Sequence, residues 1–221
     1  MSGVAMRQVK VWDGWIRLVH WSIILLIGIS YASIQNGWMK THYWSGYAVL
    51  TLVLFRIAWG LVGSDTARFL RFLQSPLAAF RHLRDFPKPE PDREIGHNAA
   101  GGWMVLVLLA LLLAQPVTGL FADSGYGDYG PLAKSVSSET SDWLTGLHHR
   151  TFNLILAAAS LHVLAVGAYA LLKGHDLVRP MVTGRKTLPA DAATPRLGSP
   201  RLAAALLGAA ALLVYGISRM G

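Results

Sequence analysis

Residues 147–163 read LHHRTFNLILAAASLHV, and this stretch decides the fold class. It is strongly apolar, yet it carries a histidine near each end, His148 and His162. Fourteen residues of α-helix rotate the chain by about −40° beyond whole turns and advance it by ~21 Å, so both side chains share one face at two depths. Because roughly 20 apolar residues cross a bilayer as a helix, the stretch predicts a membrane span that holds two stacked histidines.

Four more segments have the same apolar character. Hydrophobic residues make up 53% of the 221-residue chain and charged residues only 14%, unlike the usual balance of a soluble domain. The apolar residues concentrate in five blocks that are long enough to span a bilayer. The predicted spans cover residues 15–34, 43–62, 99–121, 147–172 and 201–218. The sequence therefore predicts an all-α membrane protein, in which a four-helix transmembrane bundle is followed by a fifth, C-terminal transmembrane helix.

The basic residues lie on one side of these spans. The net charge is +8, and most Lys and Arg residues precede span one or fall between spans two and three or spans four and five. Since cytoplasmic loops retain Lys and Arg, this distribution predicts a multi-pass protein of the bacterial inner membrane, with a cytoplasmic N-terminus and a periplasmic C-terminus. The charge thus reflects membrane topology, and we expect contact with membrane lipid and no nucleic acid partner.

The two stacked histidines of span four, His148 and His162, each have a predicted partner at the same depth. His20 lies in the inner half of span one, near the depth of His162, and His42 begins span two on the outer side, level with His148. Bis-histidine ligation of haem iron needs two imidazoles from different helices at one depth, and a bundle core is a natural site. The chain has no cysteine, which excludes covalent c-type attachment and thiolate-bound clusters. The sequence predicts two b haems, on His20 with His162 and on His42 with His148.

Three further residues lie where such haems would need them. Gly46 is one turn after His42 on the same face, where a missing side chain leaves room for a porphyrin or allows helices to pack closely. Arg56 lies ~21 Å inward of His42 on that face. Arg17 precedes His20 by three residues. Both arginines suit haem propionates, or else extend to the membrane interface.

The remaining histidines are not predicted as ligands. His149 lies roughly 140° around the helix from His162, and we expect an interfacial side chain or a hydrogen-bond partner of the outer haem. The other three fall at or outside the membrane boundary, where solvated or helix-capping roles are expected: His82, His97 and His175.

Two connecting segments have patterns of their own. Residues 66–85 alternate apolar side chains with arginines, which predicts an amphipathic helix on the inner leaflet, and the proline-rich residues 87–91 predict an extended linker. The outer loop 122–142 is rich in glycine and acidic residues; its length predicts a docking or gating surface, and its acidic residues would suit a basic partner.

These segments resemble the prokaryotic cytochrome b561 family, which includes the b-type cytochrome subunits of nickel–iron hydrogenases. The resemblance covers most of residues 9–172, in the strings VWDGWIRLVHW, THYWSGYAVLTLVLFRIAWG, GHNAAGGWMVL and LHHRTFNLILAAASLHV. It implies the same four axial ligands, and a protein that links the quinone pool to a redox partner, often on the outer side. The fifth span departs from the family's four-helix core, and histidine at position 149 stands where relatives often have an acidic residue.

The expected organisation and function follow from these patterns. We expect a di-haem cytochrome domain over residues 1–175, a cytoplasmic linker over 176–200 and an additional transmembrane helix over 201–221. The leading hypothesis is electron transfer between quinone or quinol and a periplasmic c-type cytochrome or redox enzyme subunit. One alternative is a self-contained superoxide:quinone oxidoreductase, as in some relatives, and another is a histidine-lined metal-ion transporter.

Overall fold

A computed structural model describes residues 5–88 and 91–220 of the chain. Their helices and strands follow in this order: β1 Met6–Lys10, α1 Gly14–Gln35, α2 Met39–Val62, α3 Phe69–Phe72, α4 Pro76–Arg84, α5 Ala99–Gly119, α6 Ser138–Lys173, α7 Val178–Thr183, β2 Arg185–Pro189 and α8 Pro200–Ser218. A short 3-10 turn, Ala133–Ser135, precedes α6.

Five of these helices are long and apolar enough to cross a membrane: α1, α2, α5, α6 and α8. They confirm the predicted all-α membrane fold. The largest difference from the sequence prediction concerns α6, which has 36 residues and is therefore ~54 Å long, well beyond the roughly 30 Å of a hydrocarbon core. It begins at Ser138, where the Ser137 side chain accepts a hydrogen bond from the Thr140 N–H. Hydropathy misses this first part because its residues are polar, although they are compatible with a helix.

The best-packed region lies at the inner ends of α1 and α2. Phe55 and Trp59 are fully buried there. Asp13 joins the two helices, because one carboxylate oxygen accepts from the Ile16 N–H (2.8 Å) and caps α1, while the other accepts from the Trp59 indole N–H (3.0 Å). A buried carboxylate with two donors has its hydrogen-bonding needs met, so this contact fixes the inner end of the bundle.

A small layer built from two strands covers this end. Strand β1 pairs antiparallel with β2, and Lys186 of β2 forms a 2.6 Å ion pair with Asp92. The segment 176–200, expected as a linker, therefore contains α7 and β2 and binds the N-terminal residues to the loop before α5. Two five-residue strands of mixed polarity, far apart in sequence, give no pattern from which their pairing could be predicted.

The amphipathic segment 66–85 consists of two short helices, α3 and α4, where the sequence predicts one. The break precedes Ser75, whose side chain caps α4 by accepting from the Ala78 N–H, and Pro76 begins the new helix. Apolar side chains along both helices are exposed, and they include Leu70, Leu77, Phe80 and Leu83. This agrees with a segment that lies on the membrane surface. The predicted linker 87–91 falls partly outside the described residues.

The helix α6 is set apart from α1 and α2. It packs along α5, and α1 packs along α2, which also contacts α5 and α8. Three residues of α6 are buried, Ser141, Thr151 and Ile155. The space between α6 and the α1–α2 pair is where the predicted histidine ligands lie.

Candidate functional site

The structure brings both predicted histidine pairs together across this space. The ring centres of His42 and His148 are 6.2 Å apart, and those of His20 and His162 are 6.5 Å apart. Because α6 is one continuous helix, His148 and His162 lie on one face, ~21 Å apart along its axis. The bundle thus holds an outer pair and an inner pair.

The separation within each pair fits a metal-centred macrocycle. Two metal–imidazole bonds of about 2 Å each place the ring centres on opposite sides of one metal ion roughly 6 Å apart. Both measured separations agree with this value. The imidazoles also come from different helices, which contact each other through the stacked rings of Tyr31 and Phe152 (5.6 Å) but pack mainly on other helices, so that space is left for a planar group. The residues present therefore fit axial ligation of a haem iron at each pair.

Two backbone carbonyl groups orient the outer pair. His148 Nδ1 donates to the carbonyl oxygen of Gln115 (2.8 Å), and His42 Nδ1 lies 3.2 Å from the carbonyl oxygen of Ser30. An imidazole that donates from Nδ1 presents the lone pair of Nε2, and such a bond fixes the ligand tautomer and raises its basicity. In this structure the side-chain amide of Gln115 lies 3.1 Å from His148 Nε2. The sequence could not indicate these two contacts, because every residue type has a backbone carbonyl group and none marks the ones that accept from a histidine.

The outer pair lines a cavity of ≈ 470 Å³, within the usual range of small-molecule and cofactor sites, roughly 300–1,000 Å³. Gly46 lies on its wall, and a Cβ atom added there would meet no other atom within 4 Å. Gly119 supports the ligand from the other side, because an added Cβ would lie 2.9 Å from the His148 ring. Gly46 therefore opens into the cavity as predicted from its spacing, whereas Gly119 was not foreseen.

The inner pair has a different environment. His20 Nδ1 is buried and has no hydrogen-bond partner among the described residues. Arg56 is buried at the inner end of α2, where it donates to the Ala67 carbonyl (3.3 Å) and lies over the Phe69 ring. Arg17 donates to the carbonyl of Val182. Both predicted propionate partners thus lie at the inner end of the bundle, and each donates to a backbone carbonyl, of Ala67 or of Val182 in α7.

His97 and His149 differ in how well the sequence predicted them. His97 packs between Trp12 and Phe72, with ring centres 4.8 and 4.7 Å apart, and burial, followed by the charge of Arg56, lowers the pKa of His97 to about 3. The expectation of a solvated or capping side chain is wrong for His97, which packs between these rings while Asn98 caps α5, and for His175, which is buried just after the end of α6. His149 is exposed and lines the mouth of the outer cavity.

Paired histidines facing each other inside a bundle of membrane helices are the arrangement that an integral membrane cytochrome of the b type requires. The sequence profile of the prokaryotic cytochrome b561 family matches residues 11–184, so the chain belongs to that family, as its sequence motifs predict. It is accordingly a multi-pass bacterial membrane protein that binds b-type haem and transfers electrons.

A relative of known sequence gives a more specific comparison. A protein of Yersinia pestis named "Probable superoxide oxidase CybB" is 27% identical over 181 residues, which cover 74% of this chain and 91% of that protein. No solved structure matches the chain.

Proposed function

We propose that this protein binds two b haems and conducts electrons between the quinone pool and a periplasmic redox partner, either a c-type cytochrome or a redox enzyme subunit. The observation that carries the proposal is the pair of histidine contacts, His20 with His162 and His42 with His148, at two depths of one bundle. When bound, haem supplies one-electron chemistry, while the protein sets its position, potential and exposure.

The residues of the outer site have separate roles in this proposal. His42 and His148 are the axial ligands. The carbonyl groups of Ser30 and Gln115 hold their Nδ1 hydrogens, so that each Nε2 lone pair is directed at the metal position. Gly46 leaves the wall of the cavity open for the macrocycle. Deleting an outer-shell partner of this kind typically lowers metal affinity 10- to 100-fold.

At the inner site, His20 and His162 are the proposed ligands, and Arg17 and Arg56 lie on the cytoplasmic side of this pair. A guanidinium group has five N–H donors, and Arg56 uses one of them on Ala67. Further donors of Arg56 and Arg17 would bind the haem propionates, which need cationic partners in a membrane interior.

The outer loop is the proposed docking surface for the redox partner. Four acidic residues belong to it or to the start of α6: Asp123, Asp128, Glu139 and Asp142. The loop is ordered by a bridge between Asp123 and Tyr129, and Tyr126 at its tip is 94% exposed. Acidic groups around an exposed aromatic side chain would attract a basic protein and speed its association.

Haem content and quinol reactivity test the proposal together. We expect acid–acetone to extract all haem, at about two per chain, because no cysteine can form a covalent link. Stopped-flow mixing with a quinol should reduce the haems, and a basic c-type cytochrome should reoxidise them at a rate that falls with salt. A ratio of one haem per chain, or covalent haem, would contradict the assignment of two pairs.

The proposed orientation places the outer loop and the C-terminus in the periplasm and the β1–β2 layer in the cytoplasm. Because the chain has no native cysteine, single cysteines introduced at Tyr126, Gln8 and Arg219 will each report one site. An impermeant thiol reagent should label the first and third in intact spheroplasts and the second only after lysis, as the Lys and Arg distribution requires. Labelling of Gln8→Cys in intact spheroplasts would reverse the orientation.

A second candidate function is superoxide:quinone oxidoreduction, favoured by the similarity to the Yersinia pestis protein along 91% of that protein's length. The acidic residues Asp123 and Asp128 at the outer cavity favour electron transfer to a periplasmic redox partner instead, because they repel an anion such as superoxide. Purified protein without a partner distinguishes the two functions. Rapid haem reduction by superoxide, together with negligible reduction by quinol, would favour the oxidoreductase.

In the described part of the chain, no three histidine, cysteine or carboxylate side chains converge on a metal-ion site, so the transporter alternative gains no support.

A further inference from the structure

A groove on the surface of the bundle lies between α1, α2 and α8. It has a volume of ≈ 490 Å³, within the usual range of small-molecule sites, roughly 300–1,000 Å³. On α2 it extends from Trp44 to Leu52, a distance of ~12 Å along the helix axis. Helix α8, which forms one wall, lies beyond residues 11–184, which match the family profile. The groove is therefore built partly by a helix outside the part of the chain that the family profile describes.

The lining of the groove is mostly apolar and carries no charge. None of the described residues that line it is Lys, Arg, Asp or Glu, and its polar groups are hydroxyls, on Ser22, Tyr47, Thr51, Tyr215 and Ser218. A phospholipid headgroup carries a phosphate, which proteins usually bind with Arg or Lys. The groove thus suits an uncharged molecule that is soluble in the bilayer and has few polar atoms.

Two tyrosine hydroxyls of the groove are free to bind such a molecule. The Thr51 hydroxyl donates to the carbonyl oxygen of Tyr47 (2.9 Å), and the Ser218 hydroxyl donates to that of Tyr215 (2.8 Å), so both hydrogens are used within their own helices. The phenol groups of Tyr47 and Tyr215 have no hydrogen-bond partner among the described residues. An O–H group in an apolar environment is costly without an acceptor, so a bound molecule with an acceptor oxygen would be stabilised.

Tyr47 connects the groove to the outer histidine pair. It lines both the groove and the outer cavity, and it follows Gly46, which lines the same cavity. Its ring meets that of Trp44 edge-on, with ring centres 6.4 Å apart, and it packs against the buried cluster that contains Leu50. At this point one side chain separates a molecule in the groove from a haem held by the outer pair.

We propose that the groove between α1, α2 and α8 binds the ring of an isoprenoid quinone or quinol, and that the Tyr47 hydroxyl donates to one of its oxygen atoms. This inference rests on the proposed quinone function and gives the quinone a position. A quinone ring is flat and uncharged, it has an oxygen atom at each end, and its tail is as apolar as the bilayer from which it enters. The uncharged lining, the free hydroxyls and the shared wall with the outer cavity all match these properties.

The first test compares Ala211→Trp, which fills the groove, with the control Ala209→Trp. Both alanines are exposed on α8, but only Ala211 lines the groove. Each haem-loaded protein in lipid nanodiscs is mixed with decylubiquinol, with menadiol or with dithionite, which needs no quinone site, and haem reduction is followed by stopped flow. We expect Ala211→Trp to raise the half-saturating quinol concentration at least about tenfold, because a side chain that occupies the site excludes the quinol. Ala209→Trp should match the wild type, and dithionite should reduce all three proteins alike.

Tyr47→Phe tests the proposed hydrogen bond while keeping the wall between the groove and the outer cavity. The loss of one hydrogen bond should raise the half-saturating quinol concentration about two- to tenfold. Haem content and reduction by dithionite should equal those of the wild type, because the phenyl ring retains the packing of Tyr47 on Trp44 and Leu50.

Photolabelling locates the quinone without relying on haem reduction. Trypsin cleaves after Arg201 and Arg219 and so releases most of α8 as one peptide. A photoreactive azidoquinone should label this peptide in the wild-type protein, and excess decylubiquinone should prevent the labelling. Absence of label from α8, with labelling elsewhere that decylubiquinone prevents, would overturn the proposed position.

Failure of the proposed position and failure of the proposed function give different results. Unchanged quinol saturation in both Ala211→Trp and Tyr47→Phe would overturn the position and leave the function intact. Equal weakening in Ala209→Trp would assign the effect to helix packing, and a phospholipid that co-purifies with the wild type but not with Ala211→Trp, at unchanged quinol saturation, would assign the groove to lipid. If neither decylubiquinol nor menadiol reduced the wild-type protein while dithionite did, the quinone function and the position would both be wrong.

Discussion

Replacing His148 with alanine is expected to remove the outer haem and lower the haem content from about two per chain to about one. His148 supplies one of the two imidazoles of the outer pair, 6.2 Å from that of His42, and alanine has no group that can take its place. The inner pair is ~21 Å away along α6, so the inner haem should be retained at least in part. Pyridine haemochrome quantitation and the reduced visible spectrum would measure both changes.

His149→Ala provides the matched control, because it removes an adjacent imidazole from the same turn of α6. His149 is exposed at the mouth of the cavity and is not opposite His42. We expect this variant to keep both haems. Loss of haem in His149→Ala with retention in His148→Ala would show that α6 is rotated relative to the orientation described above.

Filling the outer cavity from Gly46 should have a comparable effect without removing any ligand. A Cβ atom at this position meets nothing within 4 Å, so the protein without haem should accommodate a Gly46→Leu side chain with little strain. The leucine would then occupy part of the ≈ 470 Å³ cavity that the macrocycle requires. We expect loss of the outer haem with unchanged helix content, measured by haemochrome and circular dichroism.

Gly28→Leu is the control for this substitution. Gly28 is also in a helix, α1, and an added Cβ there likewise meets nothing within 4 Å, but the residue is exposed and does not line the outer cavity. Replacing glycine with leucine therefore changes the intrinsic stability of the helix by a similar amount in both variants. If both variants lost haem equally, the effect would come from the helices and the open wall at Gly46 would have no special role.

The sequence predicted the contacts that depend on helix periodicity. His20, His42, His148 and His162 could be paired because a regular helix converts residue spacing into rotation and depth, and the spans themselves follow from hydropathy. Gly46 was found in the same way, one turn from His42. Arg17 and Arg56 were placed at the correct end of the bundle by the same arithmetic.

Contacts between irregular segments could not be predicted in this way. The pairing of β1 with β2 joins residues about 180 positions apart in sequence, and neither strand is long or regular enough to indicate its partner. The burial of His97 depends on how the α2–α5 connection folds back over Trp12. The Tyr169–His82 hydrogen bond depends on the break between α3 and α4, which sets the direction of α4.

The separation of α6 from α1 and α2 has a consequence for how the cell makes this protein. A chain that has inserted into the membrane before it receives its cofactor has unfilled space along one face of α6, next to the two pairs of imidazoles. Any ligand that binds only the folded form stabilises that form by mass action. Bound haem would therefore stabilise the folded protein by filling this space in its interior. The steady-state amount of the protein should accordingly follow the supply of haem, and membrane proteases should remove the copies that haem biosynthesis cannot fill.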